Sequence, residues 1–142
     1  MSDTAFAFTP AQQGFIDAAL GSGYNLWSGI RLLEARRGFA RVAFRPRAEM
    51  LTPWGTLNGS VMNGLVEVPS FVALVTELAE SELPVTSDIF IQHARPMPGD
   101  VEYVMEGTLL RRGRTMAWTD VTVLVDGKPV TYARITKTIV PR

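Results

Sequence analysis

The segment from residue 59 to residue 80 constrains the fold of this 142-residue chain more than any other. Its apolar side chains are spread around nearly the whole circumference of the α-helix that they predict, which is typical of a buried helix. They are Val61, Met62, Leu65, Val66, Val68, Phe71, Val72, Leu74, Val75 and Leu78. Pro69 lies inside the segment and deprives the carbonyl of Leu65 of its usual partner, so we expect a bend there. The rest of the chain must surround one central helix.

Extended segments on both sides of this helix supply the surrounding layer. Two runs precede it, at 29–34 and 39–44, and four follow it, at 85–95, 101–111, 115–126 and 129–140. Alternating apolar and polar side chains, with turn sequences such as Asp126-Gly127 between the runs, are typical of antiparallel strands. We therefore predict an α+β protein in which a hairpin and a four-stranded antiparallel meander form one curved sheet around the central helix.

The first part of the chain predicts one further helix. Thr9 suits a helix cap, Pro10 suits the first helical position, and Gly21 ends a short amphipathic helix over residues 10–20. A chain of this length buries one core rather than two, so we predict a single domain over residues 1–142 with residues 1–26 as an N-terminal helical extension. Because the edges of a curved sheet favour pairing between subunits, we expect a homodimer or a dimer of dimers, a homotetramer.

Composition argues against several classes of function. The 14 Lys and Arg residues balance 14 Asp and Glu residues, so no net field attracts the chain to nucleic acid. The absence of cysteine fits a cytoplasmic protein, and the single histidine, His93, cannot form a multi-histidine metal site. Residues 1–4 lack the basic start of a signal peptide, and no apolar run is long enough to span a membrane. We expect a cytoplasmic protein with no metal, nucleic-acid or membrane partner.

Four polar residues interrupt the apolar helix. Ser60, Asn63, Glu67 and Ser70 recur at spacings of three and four residues, which places them on one helical face. Such a stripe is either the solvent side of a half-exposed helix or the polar lining of a site. A carboxylate confined among apolar side chains is a stronger base than one in water. Glu67 is therefore the first catalytic candidate.

The start of the helix supplies a second group of candidates. Asn58 is a suitable cap, and Gly59 has no side chain to keep a substrate carbonyl away from its free amide. An ordinary helix cap would have the same sequence, and the two roles are compatible. Gly59 lies about 12 Å along the helix axis from Glu67. A substrate that uses both groups needs help from a facing subunit, so we expect a site at a subunit interface.

The stretch from Gly55 to Glu67 resembles the signature of the PaaI-like, phenylacetate-degradation-type hotdog thioesterases. In those proteins Gly-x-x-His-Gly-Gly precedes a helix that carries Asp or Glu nine residues after the His. Here Asn58 stands in the His position and Glu67 in the acid position. Residues 91–100 resemble the family's third strand and its turn, and residues 110–114 its next hairpin, so the resemblance covers roughly residues 29–140.

The resemblance implies a hotdog fold and hydrolysis of acyl-CoA thioesters, with coenzyme A as part of the substrate and no separate cofactor. In the family the acid is a nucleophile or a base for water, the amide corresponding to Gly59 polarises the thioester carbonyl, and the neighbouring subunit completes the site. The chain departs from the pattern at Asn58 and Ser60, and at Thr52, where the family often has Asn. A hotdog protein that binds an acyl-CoA or aromatic ligand without turnover is therefore the alternative. A dehydratase would need a catalytic His in a loop, whereas His93 falls in a predicted strand.

Other polar and aromatic residues are candidates for substrate binding. Arg112 and Arg114 either pair with the phosphates of coenzyme A or belong to a solvated turn. Trp54 either lines the acyl pocket or anchors its loop. The complete set of binding candidates is Thr52, Trp54, Ser60, Asn63, Arg112 and Arg114.

Overall fold

A computed structural model describes residues 6–142, so the acidic start at residues 1–4 lies outside the described part of the chain. The described residues form one six-stranded antiparallel sheet and four α-helices. The strands are β1 (Arg31–Arg36), β2 (Phe39–Phe44), β3 (Glu82–His93), β4 (Tyr103–Arg112), β5 (Met116–Val125) and β6 (Lys128–Pro141). The helices are α1 (Pro10–Leu20), α2 (Gly23–Ser28), α3 (Gly59–Leu65) and α4 (Glu67–Val75).

The central helix is divided into α3 and α4 at Val66. Val66 keeps right-handed helical angles, with φ −62° and ψ −19°. The regular helix is therefore interrupted there, while the backbone stays in a helical conformation. The interruption falls next to Leu65, whose carbonyl finds no amide proton at Pro69, as the sequence predicts. The helix ends at Val75 rather than near residue 80, because the amides of Glu77 and Leu78 bond three residues back, to the Leu74 and Val75 carbonyls, instead of four.

The sheet runs in the order β1-β2-β4-β5-β6-β3. The prediction of a four-stranded meander is therefore wrong for β3, which pairs with β6 at the far edge. Strand β4 already has β2 on one side and β5 on the other, so neither of its edges is left for β3. The connection between β3 and β4 crosses from the edge of the sheet to its middle, and only β4, β5 and β6 form a meander.

The apolar side chains of the central helix fill the concave side of the sheet. Met62, Leu65, Val66, Val72 and Leu74 are fully buried there. This arrangement, one sheet wrapped around one helix, is the hotdog fold, as predicted.

The two N-terminal helices lie against the central helix. In α1, the Gln12 side-chain amide donates to the Val75 carbonyl over 2.9 Å, and the Phe15 ring packs edge-on against Phe71. Helix α2 was not predicted as a separate element, and the Tyr24 hydroxyl on it donates to the Val61 carbonyl over 3.2 Å. Of the helices described, none combines the length and the apolar character needed to cross a bilayer.

Candidate active site

Glu67 is the first residue of α4, and its side chain is 28% exposed. The sequence places it among apolar residues, but the structure also gives it a cationic partner, the ammonium group of Lys137 on β6, which bonds to Glu67 Oε2. The Thr86 hydroxyl on β3 donates to the same oxygen over 2.8 Å. Within the described residues, Glu67 Oε1 has no hydrogen-bond partner. The acid therefore presents one engaged oxygen and one free oxygen.

Lys137 lies beneath the central helix with its side chain only 4% exposed. Its ammonium group also donates to the Thr86 hydroxyl over 2.7 Å, so Lys137, Thr86 and Glu67 form a closed triangle of hydrogen bonds. Burial lowers the pKa of Lys137, whereas the charge of Glu67 and the hydrogen bond to it act in the opposite direction. The carboxylate is what makes a buried ammonium tolerable at this position.

A cavity of about 190 Å³ borders the Glu67–Lys137 pair. Helices α1 and α2 contribute apolar and amide groups to its wall, and α4 contributes apolar ones. The lining residues are Ala19, Leu20, Asn25, Glu67, Val68, Phe71 and Lys137. Glu67 and Lys137 are the only charged members of this lining. The cavity therefore combines an apolar pocket with a carboxylate that has one free oxygen.

A larger depression of about 420 Å³ lies on the opposite face of the sheet, bordered by side chains such as Phe90 and Tyr132. Its one carboxylate, Asp120, bonds to Arg134 through both oxygens. No acid with a free oxygen lines this depression, so the smaller cavity beside Glu67 is the better candidate.

The start of α3 has the geometry of a capped helix. The Asn58 side-chain oxygen accepts the amide of Ser60 over 3.0 Å and its hydroxyl over 2.8 Å. The oxygen of Asn58 is therefore occupied, and its side-chain NH₂ remains the available donor. In the described part of the chain, the Gly59 amide has no hydrogen-bond partner, as expected at the first helical position.

His93 lies beside this helix start, a proximity that the sequence did not reveal. Its Nε2 is 3.0 Å from the Asn63 side-chain oxygen, and its Nδ1 is 2.9 Å from the Thr131 hydroxyl. A Cβ atom added at Gly59 would lie 3.5 Å from His93 Nε2. Burial of the ring lowers the pKa of His93. The prediction that His93 falls in a strand is confirmed, and its partner Asn63 belongs to the polar stripe of the helix.

The polar stripe of the central helix is exposed at its start and buried at its end. Ser60 and Asn63 are exposed, Glu67 is half-buried, and Ser70 is fully buried with its hydroxyl 2.6 Å from that of Thr119 on β5. Ser60 is bonded to its neighbour Asn58, whereas Asn63 contacts His93 and Glu67 contacts Thr86 and Lys137 on the sheet. Of the four stripe residues, only Glu67 lines the cavity.

The Gly59 end and the Glu67 end of the site are well separated within one chain. Thr86 pairs with Lys137 across β3 and β6, whereas His93 pairs with Thr131 near the other end of the same two strands. Thr131 and Lys137 are six positions apart on β6, a span of about 20 Å. One chain therefore does not bring the carboxylate and the helix-start amide to a common point.

The arginine candidates lie at the Glu67 end. Arg112 continues the cross-strand row formed by Ala117 and Lys137, and its guanidinium is bonded to Glu82 and to the Gly113 carbonyl. Arg114 is exposed in the turn that follows. Of the two, Arg114 is the better placed for an anionic ligand, because Arg112 already has a carboxylate partner.

The loop candidates lie outside the cavity. The Thr52 hydroxyl is 2.8 Å from that of Thr56, across a tight turn that contains Gly55 at φ 79°. Trp54, at the tip of the turn, is 84% exposed and neither lines the cavity nor anchors the loop to the core within one chain.

Lys137 and Thr86 are the site residues that sequence reasoning missed. For Lys137 a signal was present: Ala133, Ile135 and Ile139 alternate with it along β6, and all four side chains are buried. A lysine on the core-facing side of a strand needs a carboxylate partner.

No group of three or more His, Asp or Glu side chains within residues 6–142 is arranged to hold a metal ion.

Neither a family model nor a curated protein matches the sequence. Solved structures do match the fold. The thioesterase HI1161 of Haemophilus influenzae superposes with a TM-score of 0.83 over 96% of this chain and 94% of its own, at 19% identity. The E. coli PaaI protein from the phenylacetic acid degradation operon gives 0.81 over 92% and 93%, at 18% identity. Zebrafish thioesterase superfamily member 2 gives 0.76 over 88% and 93%, at 23% identity. These likenesses confirm the predicted resemblance at the level of the fold.

Proposed function

We propose that this chain hydrolyses acyl-CoA thioesters, with Glu67 as the reacting acid. One observation carries the proposal: the Glu67 carboxylate borders an apolar cavity of about 190 Å³ and keeps one oxygen, Oε1, free of hydrogen bonds among the described residues. The fold shared with proteins named as thioesterases supports the same reaction class. A fold hosts many functions, so the residues at the site carry the assignment.

Two chemical routes are open to Glu67. As a nucleophile, its free oxygen attacks the thioester carbon and expels the thiolate of coenzyme A, and water then hydrolyses the mixed anhydride. As a general base, it takes a proton from water while that water attacks the same carbon. In both routes the carbonyl oxygen becomes negative, and the Gly59 amide of a facing subunit, with the side-chain NH₂ of Asn58, would stabilise it.

The cavity also indicates the size of the acyl group. Its wall carries Phe71, Leu20 and Val68, which favour an apolar acyl chain or an aromatic ring of small to medium size. The exposed Arg114 and, in part, Arg112 would meet the phosphates of coenzyme A. We further propose that the chain is a homodimer or a homotetramer whose sites lie between subunits.

The test is thioester cleavage by wild type and by Glu67→Gln, which keeps the shape of the side chain and removes its charge. We expect kcat/KM to fall by at least about 100-fold, within the usual range for loss of a catalytic acid or base. Glu80→Gln, a change at an exposed glutamate beyond the helix, is the control and should leave the rate unchanged. Thiol release can be followed without protein background because the chain has no cysteine. Full activity in Glu67→Gln would refute the assignment.

The alternative is an acyl-CoA or aromatic ligand-binding protein that does not turn its ligand over. One observation favours it: the Glu67 carboxylate is already engaged by the buried ammonium of Lys137. Calorimetry with acyl-CoAs of several chain lengths separates the two functions. Micromolar binding of an ester that stays intact for hours would support the alternative.

A further inference from the structure

We propose that Lys137 is a positioning residue that holds Glu67 by one oxygen and leaves the other oxygen for chemistry. The inference rests on the proposed thioester hydrolysis and adds a residue that neither the sequence motif nor the helix supplies. Lys137 belongs to the last strand, far along the chain from the acid that it contacts.

The hydrogen-bond pattern is the first support for this role. Lys137 and Thr86 both bond to Glu67 Oε2, and Lys137 also donates to Thr86. Two donors on one oxygen fix the rotation of the carboxylate about its last bond. Oε1 is then the oxygen that no described donor occupies, on a side chain that lines the adjoining cavity.

The energetics of burial are the second support. A buried ion pair stabilises a fold weakly, and apolar residues of similar volume often stabilise it more. The neighbours of Lys137 on its face of β6, such as Ile135 and Ile139, show that this face accepts apolar side chains. Packing alone would therefore be satisfied by an aliphatic residue at position 137. The charge of Lys137 instead acts on the Glu67 carboxylate.

The surroundings of the pair are the third support. The cavity wall from α1 and α2 consists of Ala19, Leu20 and Asn25, and the rest of the wall from α4 is apolar. No other charged side chain lines the cavity, so Lys137 alone balances the charge of Glu67 there.

The experiment compares Lys137→Met with wild type in kcat and KM. Methionine keeps the unbranched length of the side chain and removes its charge and its donors. We expect kcat to fall by about 10-fold or more with KM changed by less than about 3-fold, since the acid loses its orientation but the cavity keeps its size.

The chain offers a matched control, because Lys128 is its only other lysine and lies exposed at the start of the same strand. Lys128→Met should change neither kcat nor KM. Lys137→Gln, which keeps a donor without a charge, should retain more activity than Lys137→Met. It also carries the test if Lys137→Met has a lowered thermal midpoint.

The outcomes separate this inference from the function on which it rests. An unchanged kcat in folded Lys137→Met, with Glu67→Gln inactive, would overturn the role of Lys137 alone. A rise of kcat in Lys137→Met would overturn it too, since the lysine would then restrain the acid. If wild type hydrolyses no acyl-CoA, the proposed function and the inference both fail.

Discussion

At the scale of single residues, the candidate site depends on which atoms remain without partners. Glu67 Oε1 and the Gly59 amide are unpaired among the described residues, whereas the Asn58 oxygen is occupied by Ser60. His93 stands beside Gly59 with its Nε2 turned to Asn63. The helix start therefore offers donors, from Gly59 and from the Asn58 side chain, and the helix middle offers an acceptor.

Gly59→Ala tests the helix start directly. The added Cβ would lie 3.5 Å from His93 Nε2, an ordinary contact, so the protein should fold with unchanged or slightly higher stability. The methyl group would nevertheless obstruct the approach of a substrate carbonyl to the Gly59 amide. We expect kcat/KM to fall by at least about 10-fold, against a typical loss of 100-fold or more when such a donor is removed outright. Steady-state kinetics measures this loss, and thermal unfolding of the same sample shows that the variant is folded. Unaltered kinetics would exclude this amide from the reaction.

At the scale of secondary structure elements, two local devices place the site. The interruption at Val66 starts a new helix at Glu67, whose side chain bonds to Thr86 and Lys137. A β-bulge between Thr86 and Asp88 adds one residue to β3. Thr86 and His93 are an odd number of residues apart, so a regular strand would point them to opposite faces. With the bulge, both face the central helix.

The packing of α4 on β4 requires a glycine at position 107. A Cβ atom there would lie 2.4 Å from the Pro69 carbonyl oxygen, so the helix would have to move away from the sheet. We expect Gly107→Ala to lower the free energy of unfolding by about 1–3 kcal/mol, as overpacking usually does. Gly14→Ala, in the exposed part of α1 with nothing near the added atom, should raise it by about 0.5–1 kcal/mol. Urea titrations of both variants measure the difference, and equal midpoints would contradict the close approach.

At the scale of the whole molecule, the free edge of β3 is the most conspicuous feature. This strand has 12 residues and pairs only with β6, and Phe90 on it is 62% exposed. A long unpaired edge strand is a template for pairing with another chain. The edge lies beside both Thr86 and His93, so a second copy docked there would approach both ends of the site. This supports the proposed oligomer with shared sites.

Mixing two impaired variants tests whether the sites are shared. If Glu67 of one subunit works with Gly59 of its neighbour, a mixed dimer of Glu67→Gln and Gly59→Ala chains has one intact site. Equal amounts of the two chains should then recover about a quarter of wild-type activity after exchange, because about half of the dimers are mixed and half of their sites are intact. Sedimentation of the mixture confirms that dimers have formed. Recovery no higher than the average of the two separate variants would place each site within one chain.

Much of the fold could be predicted from the sequence, because it depends on patterns that repeat locally. The periodicity of residues 59–80, the alternation of the strands and the cap at Thr9 gave the elements and the single sheet around one helix. The position of β3 could not be predicted, since strand order depends on which edges are left free by the other strands. The separate helix α2 was also missed.

The sequence by itself placed Gly59 and Glu67 on one buried helical segment, which the structure divides at Val66. It also held a signal for the core-facing side of Lys137, in the buried residues that alternate with it on β6. Only the tertiary structure decided that Lys137 meets Glu67 and that His93 reaches Asn63, because these pairs are separated by tens of residues and joined by a strand crossing that local patterns do not encode. The bulge in β3 sets which faces Thr86 and His93 occupy. The type of each side chain can be read from the sequence, but which side chains meet depends on the register between strands. One added residue in a strand moves the side chains beyond it to the opposite face of the sheet.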